Sequence, residues 1–172
     1  MFSIKRIIAL LLLVKLFAVS GCTHNISSAD DSERILIFNA DKDINPNEFN
    51  QPAPLNVFIY QLRAVERFQD QQDDFFSSSG GSADGFAKDI ISVREIIIRP
   101  GEEKEVSLQS APEEVAIGIV AAFRNINKSQ WKRLIVLPVH KKRSWYQIFS
   151  SSEAKKINFY IKELSVDAKT ME

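Results

Sequence analysis

Glu114-Val115-Ala116-Ile117-Gly118-Ile119-Val120-Ala121-Ala122-Phe123-Arg124 is the stretch that decides the fold. Successive side chains of a strand point to opposite faces, so Val115, Ile117, Ile119, Ala121 and Phe123 line one face. Ala116, Gly118, Val120 and Ala122 make a second face of small residues. A strand that is apolar on both faces sits in the middle of a sheet and is covered on both sides.

Working outward, the chain continues to read as β. Ile35 to Phe38 is a short first strand, and Leu55 to Leu62 (LNVFIYQL) a second, rich in β-branched and aromatic residues. Ile90 to Ile98 follows, then a turn at Pro100-Gly101, then a strand in which Val106 and Leu108 alternate with polar residues. Beyond the central strand come Trp131 to Val139, Trp145 to Ser150 and Lys156 to Leu164. Eight short strands with turn-punctuated spacing predict an all-β fold, an antiparallel β-sandwich. Two stretches break the pattern. Val65 to Phe76 (VERFQDQQDDFF) has Val65, Phe68, Gln72, Phe75 and Phe76 near helical spacing, which predicts a short amphipathic helix inserted after strand two. Ser77 to Gly85 (SSSGGSADG) reads as a connector, since its glycines lack the strand-turn-helix setting and the lysine of a phosphate loop.

The N-terminal region reads as a targeting segment. Lys5 and Arg6 precede an apolar run, Ile7 to Val19, that is shorter than the roughly 20 residues a membrane-spanning helix needs. Val19-Ser20-Gly21-Cys22 then resembles a bacterial lipobox, with Lys15 inside the apolar run as a departure. The resemblance implies cleavage before Cys22, the single cysteine of the chain, and acylation of its thiol and new amino group. Several acyl chains anchor durably where one is marginal. Thr23 stands where lipoproteins retained at the inner membrane typically carry Asp, which implies the outer membrane with the domain facing the periplasm. The organisation expected is a signal peptide over 1–21, a lipidated tether over 22–33 and a sandwich domain over 34–168. Fully extended, the polar stretch Thr23 to Glu33 reaches roughly 35–40 Å. Loss of Lys5, Arg6 and Lys15 changes the balance from 22 basic and 22 acidic residues to 19 and 22, a weak net charge that does not attract nucleic acid. With the one cysteine given to lipid, neither a disulfide nor a Cys-based metal site can form within the chain.

The body of the chain resembles a family as well. Pro54 to Leu62, then Phe68 and Asp74-Phe75, Pro100-Gly101-Glu102, and Ile117 to Arg124 followed by Trp131-Lys132 are similar to the signature of TssJ, the outer-membrane lipoprotein of type VI secretion systems. The similarity covers about residues 54 to 140. It implies a transthyretin-like sandwich that is not an enzyme and binds the periplasmic C-terminal region of TssM, in a complex that also contains TssL. No cofactor is implied apart from the covalent lipid on Cys22.

If every strand is antiparallel to the next, loops after odd strands gather at one end. Those loops are Asp41 to Pro54, Arg99 to Glu103 and Asn125 to Gln130, at the end away from the tether. The first is long for a sandwich connection and is stiffened by Pro46, Pro52 and Pro54. The expected partner-binding residues are Asp41, Asp43, Ile44, Asn47, Phe49, Asn50 and Gln51, with Asn125 and Asn127. Phe49 is either the aromatic anchor of this surface or a side chain folded back on the sandwich edge. At the tether end His140-Lys141-Lys142-Arg143 is a basic turn, either solvated or drawn to anionic headgroups.

Catalysis finds little footing. His24 and His140 have no ligand partners at metal-site spacing, and the serine runs at 77–79 and 150–152 lack a neighbouring base. Asp30-Asp31 and Asp73-Asp74 are adjacent, so their side chains diverge rather than form an acid-base pair. Asp41, Asp43 and Asn45 have the spacing of a calcium loop without its glycine or distal glutamate. The alternative function class is a small-ligand-binding periplasmic lipoprotein, for which Phe58, Tyr60, Trp145 and Tyr146 would have to cluster around a cleft.

Overall fold

In a computed structural model, residues 33–70, 86–138 and 155–170 are described. Among the described residues eight strands form two sheets: β1 (Glu33–Ala40), β2 (Leu55–Leu62), β3 (Ile90–Ile98), β4 (Glu103–Gln109), β5 (Ala116–Ala121), β6 (Lys132–Val136), β7 (Lys155–Lys162) and β8 (Ser165–Thr170). One sheet has the order β4-β1-β7-β8, the other β3-β2-β5-β6. Their inner faces meet through alternating residues. Leu36 and Phe38 of β1, Ile157, Phe159 and Ile161 of β7, and Val166 of β8 face Val57 and Ile59 of β2 and Ile117 and Ile119 of β5. Phe38 and Phe159 are register partners and stack with ring centroids 4.9 Å apart.

The central strand β5 pairs with β2 on one side and β6 on the other. All six of its residues are buried, as its two apolar faces require. Its small-residue face has a specific occupant. The short helix α1 (Glu66–Asp70) lays the buried Phe68 over Gly118, where the ring also meets Tyr60 of β2 at a centroid distance of 6.0 Å. The helix expected after strand two is therefore present from Glu66, and residues 71–76 of that expectation lie outside the described ones.

Two features of the sandwich differ from the expectation. The pairing is not antiparallel throughout, because β7 runs parallel to β1 over seven register pairs, from Arg34↔Lys155 to Ala40↔Ile161. β6 ends at the same end at which β7 begins, so β7 climbs beside β1 in the same direction. In addition, the last expected strand does not stop the chain. A tight turn at Glu163-Leu164 leads into β8, which descends antiparallel to β7. The strand expected at Trp145 to Ser150 lies outside the described residues.

The end of the sandwich where β1 begins is closed by a buried polar cluster. Arg34 points inward and donates to the carboxylate of Glu114 at 2.5 Å, both side chains being almost wholly buried. The Ala111 N–H and Gln61 Nε2 also donate to that carboxylate, each at 3.3 Å. Gln61 donates to the Gln109 carbonyl at 2.8 Å and accepts from the Ser92 hydroxyl. A buried charge without such partners would cost several kcal/mol, roughly 3–5 when one member of a pair is removed. Beside this cluster Glu113 sits in the left-handed region with φ +63°.

Candidate docking surface

Strand direction decides which loops meet. β1, β3, β5 and β7 all finish at the end opposite Glu33. The connections that follow them, residues 41–54, 99–102 and 122–131 and the turn at 163–164, therefore share that far end. The three loops expected there are there, joined by a fourth turn, between β7 and the unexpected β8.

Loop 41–54 is fastened along its length. The Asp41 N–H donates to the Ile161 carbonyl, and the Gly101 N–H to the Asp41 carbonyl, both at 2.9 Å. Ile44 then turns inward and is fully buried in the core. This corrects its expected role: an apolar side chain in a polar loop, it plugs the end of the sandwich and offers no surface to a partner. Asn45 follows with φ +50°, a conformation that Asn tolerates better than most residues. Its N–H donates to the Glu163 carbonyl at 2.9 Å and its Nδ2 to the Pro54 carbonyl at 2.8 Å. Its Oδ1 accepts from the Arg124 N–H at 2.8 Å. One buried side chain thus ties the loop to its own far end and to the loop after β5. Sequence reasoning passed over Asn45 as a structural residue, although the Asn45-Pro46 dipeptide is a turn signal.

Residues 47–51 form a turn that holds its own shape. Asn47 Oδ1 accepts from the N–H groups of Phe49 and Gln51, each at 2.9 Å. The Asn47 N–H donates to the Gln51 carbonyl and the Asn50 N–H to the Asn47 carbonyl, and Asn50 has φ +57°. The turn holds Phe49 outward with 75 % of its surface exposed. Phe49 is not folded back on the sandwich. Asp41, Asp43, Asn50 and Gln51 of the same loop are also exposed, while Asn47 is half-buried because it holds the turn together.

Asn125 and Asn127 are exposed on the neighbouring loop, which makes a short 3-10 turn over Ile126–Lys128 with Ile126 packed against the core. In the third loop Glu102 accepts the Arg99 N–H at 2.7 Å. That hydrogen bond, followed by the charges of Lys104 and Arg99, holds its carboxyl below the usual glutamate range. This end thus presents an exposed aromatic on a braced turn, with exposed amides and carboxylates on the same loop and its neighbours. It has the composition of a protein contact, in which an aromatic anchor supplies apolar area and the rim supplies polar contacts.

Little else among the described residues has the form of a site. No group of three or more His, Cys, Asp or Glu side chains there could hold a metal ion, and no helix there is long and apolar enough to cross a membrane. A shallow depression of about 250 Å³ is lined by Phe68, Gln69, Lys132, Arg133 and Leu134. Phe58 is half-buried and Tyr60 buried on the outer face of the β2 sheet; Trp145, Tyr146, Cys22 and the basic turn 140–143 lie outside the described residues. Trp131 is buried in the core.

A family model described as type VI secretion lipoprotein, VasD, EvfM, TssJ matches residues 33–161. Among solved structures, the chain is similar to the type VI lipoprotein TssJ1 from Pseudomonas aeruginosa. Identity is 18 % and the TM-score 0.66, over 83 % of this chain and 98 % of that one. It is also similar to Serratia marcescens Lip, a membrane-bound component of the type VI secretion system, with 22 % identity and a TM-score of 0.69 over 83 % and 99 % of the two chains. A structure described as the TssM C-terminal domain from EAEC matches with 16 % identity and a TM-score of 0.59, over 81 % of this chain and 98 % of that one. No curated protein matches the chain.

Proposed function

The chain belongs to the TssJ family of type VI secretion lipoproteins, and from that premise we propose that it is the outer-membrane anchor of a secretion complex, docking the periplasmic C-terminal region of TssM. In this reading Cys22 carries the lipid, the domain faces the periplasm, and TssL joins the same complex through TssM. The protein works by holding its partner and catalyses no reaction.

The observation that carries the reading is the placement of Phe49. It is presented on a braced turn at the end of the sandwich farthest from Glu33, where β1 leaves toward the expected tether. A partner arriving from across the periplasm meets that end first. Rigid presentation of an aromatic side chain lowers the entropy cost of docking it. Asp41, Asp43, Asn50, Gln51, Asn125 and Asn127 supply the rim. Asn47 contributes by fixing the turn.

Calorimetric titration of the mature protein with the TssM periplasmic C-terminal region tests this. Phe49→Ala is expected to weaken binding by tenfold or more, about 1.4 kcal/mol or above. Binding within about threefold of wild type, less than about 0.7 kcal/mol, would remove Phe49 from the interface.

A further inference from the structure

Among the described residues, the end of the sandwich opposite the docking loops carries an uneven charge. In the β4-β1-β7-β8 sheet the strand termini at that end are residues 33–35, 107–109, 155–157 and 168–170. Lys155, Lys156 and Lys169 are exposed there, and among the described residues none of them forms an ion pair. Glu33 is the exposed acid among these termini, and Arg34 is spent on Glu114. Two other cations near this end are matched. Arg63 faces Glu113 at 3.8 Å, and Arg67 faces Asp89 at 2.8 Å.

The lysines also stand beside the chain's point of entry. Register places Lys155 directly beside Arg34 and Lys156 beside Ile35, one strand spacing from β1. Lys169 is the partner of Asn158 on the next strand over, on the same outer face as Lys156.

We infer that Lys155, Lys156 and Lys169 form a contact for the anionic headgroups of the membrane to which the lipid on Cys22 holds the chain. The inference rests on the proposed lipid anchor. The 22–32 segment keeps this end within about 35–40 Å of the bilayer. Contact with the surface is therefore intramolecular in effect, and a weak attraction is enough to orient the domain. Near an anionic surface each lysine favours the bound state about fivefold. Three together bias the domain on the order of a hundredfold toward standing with its lysine end on the lipid and its docking loops away from it.

The test uses full-length lipidated protein in vesicles, with a fluorescent donor on Lys128→Cys at the far end and acceptors on lipid headgroups. One set of vesicles is phosphatidylcholine, the other contains phosphatidylglycerol as well. Energy transfer is expected to be roughly twofold lower on the anionic vesicles, because the labelled end is held away from the surface. The difference is expected to vanish in the variant K155Q/K156Q/K169Q, and in about 1 M salt, where screening acts over about 3 Å. Equal transfer on the two kinds of vesicle overturns the inference while leaving the anchor in place. A difference that survives in the folded triple variant also overturns it. Failure of the protein to float with either kind of vesicle overturns the anchor itself.

Discussion

The ring of Phe68 occupies the space that a side chain at Gly118 would need: a Cβ added to Gly118 would lie 2.5 Å from Phe68 Cε2 and 2.6 Å from Cζ. The small-residue face of β5 is therefore a socket for one aromatic from α1. Gly118→Ala should displace the ring and cost about 1–3 kcal/mol, seen as a lower urea midpoint. In a Phe68→Ala background the same substitution should cost little. Equal costs in the two backgrounds would show that the ring is not what Gly118 makes room for.

Arg34 and Glu114 form a buried pair, so breaking it and replacing it should differ in effect. Glu114→Gln leaves a buried guanidinium without its carboxylate and should destabilise by about 3–5 kcal/mol. Arg34→Met combined with Glu114→Leu should recover most of that loss. A double variant no more stable than the single one would mean that the remaining cluster, Gln61 with Gln109 and Ser92, depends on the charges.

Asn45→Ala removes two side-chain hydrogen bonds and puts a less tolerant residue in a left-handed conformation. A loss of about 2–3 kcal/mol is expected. The distinguishing readout is amide exchange at Arg124, whose N–H protection should fall more than that of β5. Asn45→Gly should restore the backbone conformation without restoring that protection.

Burial pushes the Tyr60 phenol up to about 12. An unfolded tyrosine ionises near 10. The folded state is therefore favoured while the phenol is protonated in both states, and this contribution fades as pH rises from about 10 to about 12. In an ultraviolet titration of the native protein, the Tyr60 phenol should ionise late. Tyr60→Phe should abolish that late step and flatten the alkaline fall in stability.

The central strand was legible because burial on both faces leaves a continuous apolar run, and the far-end loops were legible because they follow from strand alternation alone. The parallel β1–β7 pair was not. Residues 156–164 read as a strand whichever way they run, and direction depends on the route taken before them. Within loop 41–54 the sequence shows two apolar residues, Ile44 and Phe49, and nothing in their chemistry says which one goes inside. Asn45 decides it by turning the backbone left-handed just after Ile44, and Asn47 then aims Phe49 outward. Conformations of single residues have no period, so pattern reading misses them.

β1 joins Glu33 directly to loop 41–54, with no other element between the two ends of the molecule. A pull between residue 33 and Phe49 would travel along one continuous covalent backbone. The rest of the sandwich would act as a sleeve gripping that strand, with β4 on one side and β7 on the other. For tension of that kind the weak elements are the hydrogen bonds of the loop, since the strand itself is a tie rod that need not unfold to carry load.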